Sequence, residues 1–482
     1  MSESTPEKKE NCGLFGIYGA EDCVQKTYVG LYSLQHRGQE AAGIASSDGK
    51  LIHCFKGQGT VSRVFRDRSG VLERLANRIA IGHVRYSTTG ADKAANTQPM
   101  LAEYSRGQVA VAHNGNLINA ALLRDEYEAY GSIFRSTNDT EVIIHLLAKP
   151  SHVDKTDPIS HVFNHLQGAY SLLFLFQDRI EAARDPYGIR PLCIGQTQEG
   201  EYMVASETCA IDAVGGTFVR EVEPGEIVTL DERGLSSRFF VPRGTVTPAH
   251  CIFEHVYFAK QNSTLFGESV HAVRKKLGRQ LAREHPAEAD IVIPVPDSGT
   301  SAAIGYSEES GISFDMGFVR SHYVGRTFIS PTQKLRESQV NLKLAIIGEV
   351  VKDQRVVVVD DSVVRGTTIL GKIRALRQKG AQEIHLRISC PPIRHPCFYG
   401  IDFPTKDELL ANQRTLDDIR DFLEVDSVGY LSLEGMLDCV TLPNDHYCTA
   451  CYSGDYRIHV KTAVNKYSLE RFQMQLFDEL DV

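Results

Sequence analysis

The sequence predicts two α/β units in series: stacked sheets with helices outside them, then a doubly wound parallel sheet. Three observations carry this reading. The chain has 482 residues, more than a single hydrophobic core usually supports. From Cys12 to about Val241 it is built of short apolar runs such as RIAIGHVRYS, GQVAVAHNGNL and AYSLLFLF, separated by turn residues and by helical patterns at LLRDEYEAYG and DTEVIIHLLAK. Beyond FVPRGTVTPAHC, the best boundary candidate, the runs become continuous and β-branched. ADIVIPVPDSGT and QRVVVVDDSVVRGTT each end in acidic residues, glycine and hydroxyls, as buried parallel strands do when their carboxyl ends carry the site.

Composition narrows the function classes. Apolar residues make up 42% and charged residues 23%, as in an ordinary globular protein. The 52 basic and 61 acidic residues are interspersed and the net charge is −9, so no long basic tract tracks a nucleic-acid backbone. No apolar run is long enough for a spanning helix, and a cytoplasmic protein without nucleic-acid or membrane partners is expected. Eleven cysteines, an odd number without a secretory leader, argue against a disulfide framework and leave metal or cluster ligation as the leading use of Cys448-x-x-Cys451.

In chain order, residues 1–11 are polar and charged, with too little apolar surface to fold alone and no resemblance to a signal peptide or anchor. Their removal would leave Cys12 with both a thiol and a free α-amino group, a nucleophile beside a base. The sharpest chemistry lies at Val356 to Thr368, VVVVDDSVVRGTT. Four valines bury a strand that delivers Asp360 and Asp361 to its end, ahead of Arg365-Gly366-Thr367-Thr368 at a helix start. Free N–H groups and the positive dipole end there favour a phosphate.

These thirteen residues resemble the phosphoribosyl pyrophosphate (PRPP) signature of type I phosphoribosyltransferases. The resemblance implies that Asp360 and Asp361 face the ribose hydroxyls directly or through Mg²⁺. Ser362, Val363, Val364, Arg365, Gly366, Thr367 and Thr368 would then cradle the 5-phosphate. PVPDSGTSAA is similar to the pyrophosphate loop, with Ser298 a further Mg²⁺ contact, and the basic stretch from Arg320 to Leu344, with Arg326 and Lys334, to a loop that closes over PRPP.

A chain holding both CGLFGI and this signature resembles the glutamine PRPP amidotransferases over nearly its whole length, in the iron–sulfur subgroup with an N-terminal propeptide. An N-terminal nucleophile αββα glutaminase sandwich over 12–240 is implied, then a phosphoribosyltransferase domain over 251–465 and a helical tail over 466–482. Residues 1–11 would be a propeptide cleaved between Asn11 and Cys12. In such enzymes the cysteine attacks the glutamine amide, with the α-amino group as base. Asn114 and the Gly115 N–H would form the oxyanion hole. Arg85 and Thr88 would hold the substrate α-carboxylate, Asp139 its α-ammonium, and LQHRGQEAAGI is a further signature.

Cys251, Cys397, Cys448 and Cys451 fall where the subgroup carries [4Fe-4S] ligands. Spacing alone leaves zinc open, and Cys390 or Cys439 could replace one of the four. Partners implied are PRPP, L-glutamine and inhibitory purine nucleotides, in a homotetramer. A PRPP-sensing regulator of purine metabolism without transferase activity is the alternative.

Overall fold

The computed structural model describes residues 12–66, 70–86, 94–153, 155–320, 344–403 and 405–458. The predicted propeptide, Thr88, Arg326, Lys334 and the tail lie outside the described residues.

Alternation along two strands explains the first unit. In Gly107–Leu117, Val109 and Val111 face one way and Ala110 and Ala112 the other; in Gly168–Leu175, Tyr170, Leu172 and Phe174 oppose Leu173 and Leu175. One set packs under the helices Ala120–Ala129, Thr140–Ala148 and Pro158–Phe163. The other set meets Leu14, Ile81 and Val204 of a second sheet. That sheet is seven-stranded, with Gly13–Tyr18 between Tyr202–Ala205 and Ile79–Arg85, and its partner has six strands. Helices Cys23–Ser33 and Thr208–Ala213 cover its outer face through Val24, Leu31 and Ile211. The result is four layers, helix–sheet–sheet–helix.

The second unit centres on five parallel strands in the spatial order Ser313–Phe314, Ile291–Pro294, Arg355–Asp360, Glu383–Ile388, Ser427–Tyr430. In chain order that is 2-1-3-4-5, so the sheet reverses direction between Ile291–Pro294 and Arg355–Asp360. Ligand crevices form at such a switch point, beyond the carboxyl ends of the strands. Val356 to Val359 are fully buried, which is why this strand reads as an unbroken apolar run.

The units meet across a buried charge cluster. Arg37 of the first donates to Glu254 of the second at 2.7 and 3.0 Å and also to Glu207. Arg190 reaches Glu254 at 3.3 Å and the Tyr399 carbonyl at 2.6 and 3.0 Å. Glu207 further accepts from the Ser263 hydroxyl and the Lys260 N–H of the second unit, and pairs with His36 at 2.8 Å. Arg37, Arg190, Glu207 and Glu254 are all fully buried. Burial opposes ionisation of Glu207, but His36, Arg37 and Ser263 outweigh it and hold its carboxyl well below the usual range.

Replacing Glu254 by leucine leaves two buried guanidinium groups without their shared carboxylate. Equilibrium unfolding in urea should show a loss of about 3–5 kcal/mol, and an unchanged midpoint would refute the role given to this cluster. Because the folded pKa of Glu207 is depressed, its contribution is complete above the unfolded carboxylate value of about 4.3 and is lost as pH falls through the lower folded value. Glu207→Gln should therefore be less stable than the parent near neutrality, with a shallower decline in stability on acidification below about pH 4.

Candidate functional site

Cys12 immediately precedes the strand Gly13–Tyr18, which is held on both sides: Gly13 opposes Val84, and Leu14 exchanges hydrogen bonds with Ser206 at 2.9 and 3.0 Å. Its carbonyl accepts from Arg37 Nε at 3.1 Å, and its thiol lies 3.7 Å from the Tyr86 carbonyl. Gly38 lets this loop close on the next strand, since a Cβ there would lie 2.7 Å from the Arg85 carbonyl carbon. The HRG of the sequence signature therefore fixes the Cys12 backbone from behind. Burial pushes the thiol up, partly offset by the Tyr86 hydrogen bond and the Arg85 charge. The other charges acting on it are Asp139 and Glu40, both acidic.

The same unit carries buried polar side-chain atoms with no protein partner among the described residues: both terminal nitrogens of Arg85, whose charge acts on Cys12, and the side-chain amide nitrogen and oxygen of Asn114. Unpaired buried groups of this kind are costly and mark a place where a polar ligand completes the bonding. Arg85 ends the strand Ile79–Arg85, and Asn114 lies opposite Ser171 near the end of Gly107–Leu117. Gly115, at φ +147°, is required by closeness as well as conformation, because a Cβ there would come within 2.0 Å of the Ala169 carbonyl oxygen.

Asp139 precedes the helix Thr140–Ala148, and its carboxylate accepts from the Leu117 N–H at 3.0 Å and lies 3.3 Å from His113 Nδ1. Against burial, His113 and the backbone N–H groups hold it below the usual range. Gln98 supports this corner by accepting from the His113 N–H at 2.7 Å and donating to Thr140 at 3.1 Å. Cys12, Arg85, Asn114, Gly115 and Asp139 thus converge at strand and helix ends of the first unit.

The second constellation occupies the switch point. Asp360, Asp361 and Ser362 are buried at the end of the central strand, Gly366 at φ +80° turns the chain, and Thr367 and Thr368 are exposed at the start of the helix Thr367–Gln378. Across the crevice, the loop after Ile291–Pro294 brings the Ser298 hydroxyl onto the Asp361 carboxylate. Arg365 pairs with Glu408 at 2.8 Å, so its guanidinium is held at the edge of the loop. Oxygen-rich groups facing the free N–H end of a helix suit a divalent hard cation and a phosphate together. Arg274, which the sequence did not single out, is buried near Asp361 and Glu207. It donates to the His255 and Ala259 carbonyls, and burial draws it down to about 10 against the charges of Asp361 and Glu207.

The cysteines at the end of the second unit form a third grouping. Cys251 and Cys448 are register partners of a two-stranded parallel ladder, and the carbonyl of Cys451 accepts from Arg394 and His395 beside Cys397. Cys251, Cys397 and Cys448 all act electrostatically on Cys451. No three cysteine sulfurs among the described residues converge within 4.8 Å. Cys439 instead donates to the Gly435 carbonyl at 3.1 Å and feels Lys276 and Glu284, away from the four, whereas Cys390 lies beside Cys451 and Tyr452.

This grouping is tied to the first. Asn116 donates to the Phe398 carbonyl at 2.9 Å, Arg190 holds the Tyr399 carbonyl, and Gly400, at φ +101°, lies against Gly115. The segment after Cys397 therefore backs the Asn114-Gly115 corner.

Comparison with known proteins agrees with this two-part layout. Residues 83–213 match the glutamine amidotransferase domain and residues 268–397 the phosphoribosyl transferase domain. The amidophosphoribosyltransferase of Bacillus subtilis (strain 168) is 45% identical over 469 residues, covering 94% of this chain and 98% of its own. A solved structure described as the allosteric regulatory enzyme of purine biosynthesis superposes with a TM-score of 0.90 at 45% identity, covering 95% of this chain and 99% of that one. Glutamine PRPP amidotransferase from B. subtilis, complexed with ADP and GMP, superposes with a TM-score of 0.89 at 44% identity, over 95% of this chain and 100% of that one.

A side chain at Gly400 would meet the Gly115 carbonyl carbon at 2.9 Å and Arg190 at 3.0 Å. Gly400→Ala should lower turnover of a ligand at the Cys12 corner by about tenfold or more, from a strain of about 1–3 kcal/mol. Steady-state assays with glutamine and with ammonia separate the two corners: equal losses with both nitrogen donors would contradict a local effect at Gly115.

Proposed function

The chain belongs to the amidophosphoribosyltransferases, which catalyse the first step of purine biosynthesis, and from that premise we propose the residues that perform each step and the groups that assist them. The reaction converts PRPP, glutamine and water to 5-phosphoribosylamine, glutamate and pyrophosphate. It combines a glutaminase with a phosphoribosyl transfer.

In this reading residues 1–11 are removed, and the Cys12 α-amino group takes the thiol proton as sulfur attacks the glutamine amide carbon. An α-amino group titrates at about 7.7–8.0, close to working pH. It is needed because burial raises the thiol and the charged side chains acting on it are one guanidinium and two carboxylates. The Asn114 side chain and the Gly115 N–H receive the oxyanion, Arg85 and Thr88 bind the α-carboxylate, and Asp139 binds the α-ammonium. The C–N bond breaks with a proton returned to nitrogen, ammonia leaves, and water hydrolyses the thioester to glutamate and restores the thiol. What supports this assignment is the set of unpaired, buried polar atoms on Arg85 and Asn114, with Arg85 and Asp139 near enough to act on the Cys12 thiol.

At the second corner Ser362 to Thr368 cradle the 5-phosphate, and Asp360 and Asp361 orient the ribose hydroxyls. Mg²⁺, held by Asp360, Asp361 and Ser298, would neutralise pyrophosphate charge as it departs. The pairing of Ser298 with Asp361 supports that ligand set. Ammonia attacks the ribose C1 as the bond to pyrophosphate breaks, then loses a proton.

We assign Cys251, Cys397, Cys448 and Cys451 to a [4Fe-4S] cluster, on the pairing of Cys251 with Cys448 and the charges that Cys251, Cys397 and Cys448 exert on Cys451. Such a cluster would supply cross-linking, since the transfer involves no electron change, and its strand ladder and the Cys397–Gly400 segment anchor it to the glutaminase corner. A homotetramer in the cytoplasm and inhibition by purine nucleotides extend the reading. The B. subtilis structure with ADP and GMP supports the inhibition.

Cys12→Ala should lose glutamine-dependent product by at least about a thousandfold while ammonia-dependent product at alkaline pH persists. Intact mass should show active protein lacking residues 1–11 and, under native anaerobic conditions, an increment of four iron and four sulfide. Active protein that keeps Met1 would overturn the N-terminal base, and a zinc increment would overturn the cluster.

A further inference from the structure

Away from both reaction corners, on the helical face of the first unit, three histidines converge. The ligating nitrogens of His152, His161 and His165 all lie within 4.8 Å of one another. Their ring centroids are 4.5, 4.9 and 5.3 Å apart. His152 is buried in the short helix Pro150–Val153, His161 is half-buried in Pro158–Phe163, and His165 is exposed one turn later. His161 and His165 are four residues apart, so they share one side of that helical segment.

The orientation of His152 distinguishes this group from simple ring packing. Its Nδ1 is 2.9 Å from the Leu146 carbonyl, which can only accept, so Nδ1 carries the proton and Nε2 keeps its lone pair. A backbone carbonyl on one ring nitrogen is the arrangement that fixes the tautomer and aim of a metal-ligating histidine. The partner helix is itself fixed: Asp157 caps it through the Ser160 N–H at 3.1 Å and is clamped by Arg238 at 2.6 and 3.0 Å. One ligand is therefore preset, and the other two lie on an anchored helical turn with room to rotate inward.

We propose that His152, His161 and His165 bind a zinc ion, a site the transfer reaction does not use. Three imidazoles are a ligand set suited to Zn²⁺, with a fourth position left for water on the exposed side. With Zn–N bonds of about 2.0–2.1 Å the nitrogens draw together to about 3.4 Å, a movement His161 and His165 make at the surface. The ion ties the turn after the helix Thr140–Ala148 to the helix Pro158–Phe163.

The test uses the full chain purified anaerobically with its cysteine site filled, and Co²⁺ as the spectroscopic probe. One equivalent should bind with the weak visible bands of nitrogen and oxygen ligation, without the intense near-ultraviolet absorption of sulfur ligation, and Zn²⁺ should displace it. His161→Gln/His165→Gln, which alters only side chains at or near the surface, should lose that equivalent and keep the sulfur site. His165→Gln alone should weaken binding by about tenfold or more. Binding that is unchanged in the double variant, only sulfur-type bands, or no bound equivalent at about 100 µM Co²⁺ would each overturn the proposal.

Discussion

The joint at Glu254 is the constraint on which the rest of the molecule depends. A carboxylate removed from water requires cationic partners with good geometry, and here they come from Arg37 and Arg190 of the other unit. Arg37 also grips the Cys12 carbonyl, while Arg190 also grips the Tyr399 carbonyl beside Gly115 and Cys397. The charges that unite the two units therefore also set the Cys12 backbone and the loop behind Gly115. Displacing either unit would strand charge in an apolar surround, so the relative placement of the two corners is strongly specified.

Each corner exploits the end of a sheet in a different way. In the first unit, Cys12 and Arg85 come from neighbouring antiparallel strands that meet on one rim, and Asn114 comes from the facing sheet. In the second, parallel strands place successive loops on one side, and the reversal of strand order opens a crevice between the Ser298 loop and the Asp361 loop. The buried Arg274 feels Asp361 and Glu207 together.

Local readings were most legible where one strand or one turn carries the chemistry. The run VVVVDD followed by RGTT announces a buried strand, an acidic end and a helix start within a single span, and the structure has all three there. The helices predicted at LLRDEYEAYG and DTEVIIHLLAK occupy Ala120–Ala129 and Thr140–Ala148. Arg190, Glu207, Glu254 and Arg274 escaped notice because a single charged residue carries no sign of burial; their partners lie up to 217 residues away. The histidine triad did leave a trace, the H-x-x-x-H of His161 and His165, but its third member depends on how two helices pack.

By itself, then, the sequence determined the two units, their order and the family to which they belong, because those features are written in short contiguous patterns whose backbone geometry follows from residue type. Tertiary structure alone decided that Cys439 stands apart from the other cysteines of the second unit, which charges are buried in pairs, and that the segment after Cys397 supports Gly115. Those outcomes depend on distances between atoms remote in the chain. Such distances are set by the mutual burial of whole layers, and pairwise burial has no signature along a single strand of sequence.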